Sequence, residues 1–143
     1  MSQPTVIEKV LYTANATATG GRDGVAKSDD GKLEVTLNPP PALGGTGAGT
    51  NPEQLFAAGY AACFASAVGV VARAQSIAVG AFTISADVTI GKDESGFGIA
   101  AKLIGSFPEL SKEQAQKVME AAHQVCPYSK ATRGNINVEL TVA

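Results

Sequence analysis

Between Leu55 and Ala72 the chain carries no charged side chain. A run of that length raises the possibility of a membrane-spanning helix. Ala and Gly dominate it, it sits at the minimum spanning length, and it stands alone, so a core helix of a globular domain, surrounded by sheet, is the expected structure and no membrane is expected as partner. Its start is explicit in Asn51-Pro52-Glu53-Gln54. Asn serves as N-cap, Pro occupies the first helical position where its missing N–H is not needed, and Gln stands three residues after the cap. The helix is expected to run to about Gln75 and to act as the spine around which the rest is arranged.

What flanks the spine reads as strands and one further helix. Val6 to Thr19 is rich in Val, Thr, Ala and Tyr, Gly24 to Ala26 is short, and Lys32 to Leu37 alternates, with Leu33, Val35 and Leu37 on one face. Asp29-Asp30-Gly31 tolerates the turn of a hairpin. Asn38 to Thr50 is a loop broken by Pro39, Pro40, Pro41 and four glycines. It is not a phosphate loop, because no Gly-Lys-Ser/Thr follows the glycines and the run before them is proline rather than a strand. Phe82 to Lys92 and Gly98 to Phe107 form a second hairpin around Asp93-Glu94-Ser95-Gly96. Ser111 and Gln114 spell a capping box for a second helix with Ala115, Val118, Met119 and Ala122 on one face, ending near Val125 because Cys126 precedes Pro127. Asn135 to Val142 alternates as a last strand. The order β-β-β-α-β-β-α-β predicts an α+β fold, and 143 residues predict a single domain over residues 1–143. Eleven Lys and Arg against thirteen Asp and Glu give a thinly spread net charge of −2, without the basic stripe of a nucleic-acid binder.

The chemistry-bearing residues are few: two Cys and one His. Cys63, Cys126 and His123 make three ligands where a structural zinc needs four, so no metal is expected. Met1 to Val10 lacks the charged start and apolar region of a secretory signal, which points to the cytoplasm, where thiols stay reduced and a Cys pair more often means chemistry than a staple. Cys63 lies in mid-helix among apolar neighbours. There it is either an inert small hydrophobe or a nucleophile needing a cation, since burial raises a thiol's pKa and mid-helix placement offers no dipole. Arg73 is about 15 Å away by helical rise. Arg22, in the turn Gly20-Gly21-Arg22-Asp23-Gly24, is a solvated turn residue or a cation folded over the helix. Glu53 is as far from Cys63 as Arg73 and by default complements the helix dipole. For Arg22 and Glu53 to serve one Cys63, at least one must arrive by a bent-back loop or from a second chain. Cys126 sits in Cys126-Pro127-Tyr128-Ser129, read as irregular backbone able to meet a partner. His123, on a polar helix face, reads as a surface residue more than as the base of a Cys–His hydrolase, for which no oxyanion hole is visible.

Taken together, Gly20-Gly21-Arg22-Asp23-Gly24, the long run from Gly47 to Phe64 that includes Asn51-Pro52-Glu53-Gln54 and Tyr60-Ala61-Ala62-Cys63-Phe64, and Cys126-Pro127-Tyr128-Ser129-Lys130-Ala131-Thr132-Arg133-Gly134-Asn135 resemble the organic hydroperoxide resistance (Ohr) family of the OsmC-like superfamily. Tyr128 and Thr132-Arg133-Gly134-Asn135 point to the Ohr branch. The resemblance covers essentially the whole chain. It implies an OsmC-like fold of antiparallel sheets wrapped around central helices in an intertwined homodimer, and a thiol-dependent peroxidase that reduces alkyl or fatty-acid hydroperoxides. It further implies Cys63 as peroxidatic Cys, Cys126 as the resolving Cys that forms a disulfide with it, and Arg22 and Glu53 as the groups that hold the thiolate and orient the peroxide. A lipoylated protein or other dithiol would be the reductant, with no bound cofactor. Leu55, Phe56, Tyr60 and Phe64 supply apolar neighbours suited to a substrate with a greasy tail. Two alternatives stand beside this: an OsmC-branch peroxidase of broader peroxide preference, and a binding or structural module with idle thiols.

Overall fold

A computed structural model describes residues 3–143, so the first two residues of the Met1–Val10 segment lie outside the described residues. The chain groups into two compact units, Met1–Leu55 and Phe56–Ala143.

In the first unit, β1 (Ala16–Thr19), β2 (Gly24–Ser28) and β3 (Glu34–Leu37) form an antiparallel sheet in chain order. The β2–β3 hairpin turns through Asp29-Asp30-Gly31 as expected, and Gly31 takes the positive φ of 73°. Its turn is closed by Ser28, whose hydroxyl donates to Asp30 and whose N–H donates to the Leu33 carbonyl. The strand expected over Val6–Thr19 shrinks to its last four residues. A β-favouring composition makes a strand only where an edge is available to pair with, and Val6, Ile7, Val10, Leu11 and Tyr12 stand exposed instead. Leu33 also stays outside β3, exposed, while Val35 and Leu37 turn inward. The Pro-Gly loop contains one short 3₁₀ turn, Pro41–Leu43. Asn38 organises the remainder: its side-chain oxygen accepts from the N–H groups of Thr46, Gly47 and Ala48 and from the Thr46 hydroxyl.

The helix α1 spans Pro52–Gln75. Asn51 caps it, its side-chain oxygen accepting from the Gln54 N–H at 2.9 Å. The Gln54 side chain does not return to the cap but accepts from the Thr50 hydroxyl.

The second unit contains the greater part of α1, then β4 (Thr83–Asp93), β5 (Gly96–Ser106), α2 (Lys112–Val125), α3 (Pro127–Thr132) and β6 (Val138–Val142). Its sheet runs β4-β5-β6. The β4–β5 pair is antiparallel, but β6 joins β5 in parallel, so this sheet is mixed where the resemblance implies antiparallel sheets. A parallel pair needs a crossover, and α2 with α3 supplies it. Tyr60, Phe64, Ala67, Val68 and Val71 of α1 pack into one buried cluster with Ala101 and Leu103 of β5 and with Ala115, Val118, Met119 and Ala122, the face expected of α2. Both halves of the Ser111–Gln114 capping box are formed.

The spine is covered on one side only. By length and hydropathy Pro52–Gln75 would cross a membrane, yet only 33% of its most apolar window is buried in the chain. Gln54, Ala58, Ala62, Ser66 and Val70 make an exposed stripe at four-residue spacing, uncharged throughout. A missing charge therefore overstates burial: it marks the apolar face and the small-residue face alike.

Gly105 on β5 leaves no room for a side chain, since a Cβ there would lie 2.5 Å from Phe107 and 2.6 Å from the Met119 sulfur. Gly105→Ala is expected to lower stability by about 1–3 kcal/mol through overpacking, measured by chemical denaturation at fixed protein concentration.

Candidate active site

Arg22 is aimed by the turn that carries it. Gly20 and Gly21 take positive φ values of 85° and 62°, and the Asp23 N–H donates to the Gly20 carbonyl at 3.1 Å, closing a turn between β1 and β2. Asp23 in turn accepts from the Asn38 amide at 3.1 Å, which ties the turn to the Pro-Gly loop. Thr50, at the loop's end, donates its N–H to Thr36 and accepts from the Asn38 N–H, fixing the approach to α1 beside β3. With both ends so held, the Arg22 guanidinium meets the Glu53 carboxylate on two atoms, at 2.6 and 3.0 Å. This is the two-pronged geometry for which guanidinium and carboxylate are matched. The hydrogen bond from Arg22 holds the Glu53 carboxyl below its ordinary range, and the same bond pushes the guanidinium up. The pair forms inside one chain.

A second pair lies in the other unit. Cys63, partly exposed on α1, and Cys126, fully buried, are free thiols with their sulfurs 3.5 Å apart. That is van der Waals contact; a disulfide requires about 2.05 Å. Burial pushes the Cys63 thiol up, the neighbouring Cys126 thiol adds to this, and a hydrogen bond from the Tyr128 backbone N–H pulls the other way. Within this unit ionisation of Cys63 is thus opposed.

Cys126 is itself non-helical, but Pro127-Tyr128-Ser129, expected as irregular backbone with it, are helical. The Cys126 N–H donates to the Ala122 carbonyl and closes α2, while its carbonyl accepts from the Lys130 N–H and opens α3. Pro127 at the first helical position starts a new helix immediately after the break it causes. The single extended residue at the junction, with φ −64° and ψ 125°, is Cys126 itself. Its thiol is thereby fixed by two helix ends.

His123 is half-buried rather than a free surface residue. Its Nδ1 lies 2.7 Å from the Ser129 hydroxyl, and burial, with the Arg133 cation second, holds the imidazole below its ordinary value. Its ring bonds Ser129 while the Cys126 thiol donates to Cys63, so no Cys–His hydrolase pair is assembled. Ser129 also bonds the Tyr60 phenol at 2.8 Å, and Tyr60 bonds the Thr132 hydroxyl at 3.0 Å. This buried polar chain escapes sequence reasoning, because its members become neighbours only when 127–132 is helical. The spacing of Ser129 and Thr132, one turn apart, is the signal that could have exposed it.

Of the apolar residues near Cys63, Tyr60 and Phe64 are wholly buried and line no wall. Phe56 does: with Ile99, Tyr128, Ala131 and Ile136 it lines a mainly apolar cavity of about 490 Å³. The rings of Phe56 and Tyr128 meet edge-on at 6.1 Å. Among the described residues no three His, Cys, Asp or Glu side chains converge as a metal ion would require.

Residues 45–141 match the protein family described as OsmC-like protein. The organic hydroperoxide resistance protein of Xanthomonas axonopodis pv. citri (strain 306) is 54% identical over 138 residues, which is 95% of this chain and 97% of the relative. Among solved structures, an organic hydroperoxide resistance protein from Legionella pneumophila superposes with a TM-score of 0.89 at 45% identity, over 94% of this chain and 99% of that one. That of OhrB from Bacillus subtilis gives 0.85 at 48% identity, over 94% and 100%.

The carboxyl of Glu53 is lowered by its partner, so the pair stabilises the folded chain above the unfolded carboxyl's value of about 4.3 and that contribution is lost as pH falls through the folded value. Glu53→Gln should therefore unfold at lower denaturant than the parent near neutral pH, with the two midpoints converging in acid.

Proposed function

The chain belongs to the OsmC-like family, among its organic hydroperoxide resistance proteins, and from that membership we propose that it is a thiol-dependent peroxidase reducing organic hydroperoxides to alcohols. The observation that carries the reading is the 3.5 Å contact between two free thiols, one partly exposed and one buried. In the proposed cycle the Cys63 thiolate attacks the outer oxygen of the hydroperoxide. An S–O bond forms, the O–O bond breaks, the departing alkoxide takes a proton to leave as an alcohol, and Cys63 becomes a sulfenic acid. Cys126 then attacks the oxidised sulfur. The S–S bond forms, the S–O bond breaks, and hydroxide leaves with the Cys126 proton as water.

Arg22 and Glu53 are proposed as the groups that hold the thiolate and orient the peroxide. The need is physical, since burial opposes the charge on Cys63, and a guanidinium held on two atoms by Glu53 is a cation of fixed direction. The apolar cavity lined by Phe56, Ile99, Tyr128, Ala131 and Ile136 supports an alkyl or fatty-acid hydroperoxide over hydrogen peroxide. A small dithiol such as a protein-bound lipoyl group is the proposed reductant, because its second thiol releases the mixed disulfide intramolecularly. The cytoplasm is the proposed location, where such thiols are kept reduced. A homodimer is proposed from two uncovered apolar features, the α1 stripe through Ala58, Ala62 and Val70 and the arm carrying Val6, Ile7, Val10, Leu11 and Tyr12.

Cys63→Ser is expected to abolish consumption of cumene hydroperoxide, whereas Cys126→Ser should react once and retain a sulfenic acid that dimedone traps. Equal residual turnover in both variants overturns the assignment of roles. With dihydrolipoamide as reductant the parent should consume cumene hydroperoxide at least about tenfold faster than hydrogen peroxide, as expected of a pocket that binds the alkyl group; equal rates point to the broader OsmC-branch preference. Light scattering should give twice the mass of one chain, and a monomer that turns over removes the dimer from the proposal.

A further inference from the structure

Two rungs connect α1 to the start of α3. One is the thiol pair, Cys63 with Cys126; the other is the hydroxyl pair, Tyr60 with Ser129 at 2.8 Å. On α1, Cys63 of the thiol rung follows Tyr60 of the hydroxyl rung by three residues, and on the α3 side Cys126 precedes Ser129 by three, so the rungs are stacked one helical turn apart. The thiol rung is the one that must change length during the proposed cycle. The hydroxyl rung is fully enclosed: Tyr60 and Ser129 have no exposure and Thr132 very little.

Thr132 donates to the Ser129 carbonyl at 3.3 Å, the Tyr60 phenol bonds both the Thr132 and the Ser129 hydroxyls, and the Ser129 hydroxyl also bonds Nδ1 of His123. The chain thus runs from the last turn of α2, through α3, to α1, and straddles Cys126. Arg133 extends it by donating to the His123 carbonyl at 2.8 Å. A buried hydroxyl that loses its partner here has no water to replace it, so the register of α3 on α1 is held by the cost of leaving these groups unpaired.

We propose that this hydroxyl chain, with Tyr60 and Ser129 at its centre, is the positioning device for the second oxidation step: it keeps Cys126 within reach of Cys63 so that the sulfenic acid is captured as a disulfide before a second peroxide arrives. Tyr60 and Ser129 are positioning residues, acting through Cys126 and touching no substrate. The proposal rests on the peroxidase reading and adds a division of labour to it. Capture by Cys126 depends on the rung, whereas the first attack on peroxide depends on Cys63 and its cation. Without the rung, the sulfenic acid persists and a second hydroperoxide takes it to the sulfinic acid, an S–O bond forming as the O–O bond breaks and an alcohol leaves.

The test is a single-turnover comparison of the reduced parent with Tyr60→Phe, which keeps the ring and removes the hydroxyl. One equivalent of cumene hydroperoxide is mixed in, loss of the Cys63 thiol and formation of the disulfide are timed separately, and dimedone adducts are counted by mass. In Tyr60→Phe thiol loss should match the parent, while disulfide formation slows by at least about tenfold, the effect of losing the buried hydrogen bonds to Ser129 and Thr132. The dimedone adduct, minor in the parent, becomes the main product, and excess peroxide yields sulfinic acid. Disulfide formation at the parent's rate, or slowing of both steps by one common factor, overturns the proposal. If Tyr60→Phe does not fold, as circular dichroism would reveal, Ser129→Ala is subjected to the same two timings and decides. A parent that loses no thiol to peroxide would sink the peroxidase reading itself, which is a different result from a parent and variant that resolve equally fast.

Discussion

Along α1, Tyr60, Phe64, Ala67, Val68 and Val71 leave water against β5 and α2, and each large member of that set is worth roughly 1.5–3 kcal/mol. Everything distinctive about the second unit depends on this burial. It fixes the helix, it brings α2 alongside, and it makes the surroundings of Cys63 too apolar to favour a charge. The same packing that gives the thiol a fixed place thereby suppresses its reactive form. The first unit holds an ion pair of its own, the bidentate contact of Arg22 with Glu53, at the end of a glycine turn whose aim is set by Asp23 and Asn38.

The junction at Cys126 meets a different problem, how to hold a buried thiol still where one helix ends and the next begins. Two helix ends share this one residue, which donates to α2 and accepts from α3. A proline that cannot continue one helix is well suited to begin the next. The result is a sharp break with no slack, bridged by the contact of His123 with Ser129, and beyond it the buried hydroxyls of Ser129 and Thr132 bond the Tyr60 phenol of α1.

Much of this was legible in the sequence. Asn51-Pro52 marked the start of α1, Ser111 and Gln114 the start of α2, and the face of α2 followed from its periodicity. What escaped has a common cause. Residues 6–15 have the composition of a strand, but pairing is a property of two segments and only one is written there. Alternation in 138–142 is the same for a parallel and an antiparallel neighbour, so the direction of β6 was invisible. The helix at Pro127–Thr132 is shorter than two turns and has no periodicity to detect. With α3 unseen, the contact of Ser129 with Tyr60 was unseen too. The Cys63–Cys126 contact came from resemblance rather than from pattern, because sequence spacing does not say which residues 63 positions apart will touch.

That separation has a consequence in chain entropy. A bond closed between Cys63 and Cys126 would ring off nearly half the chain, including both strands of the β4–β5 hairpin and all of α2. Loop-closure entropy assigns such a ring about 4 kcal/mol against unfolding, most of it exerted on the unfolded ensemble rather than on any native contact. The oxidised and reduced chains would then share nearly the same folded architecture yet differ widely in how easily they come apart, so that the oxidation state of two sulfur atoms is also a record of resistance to unfolding.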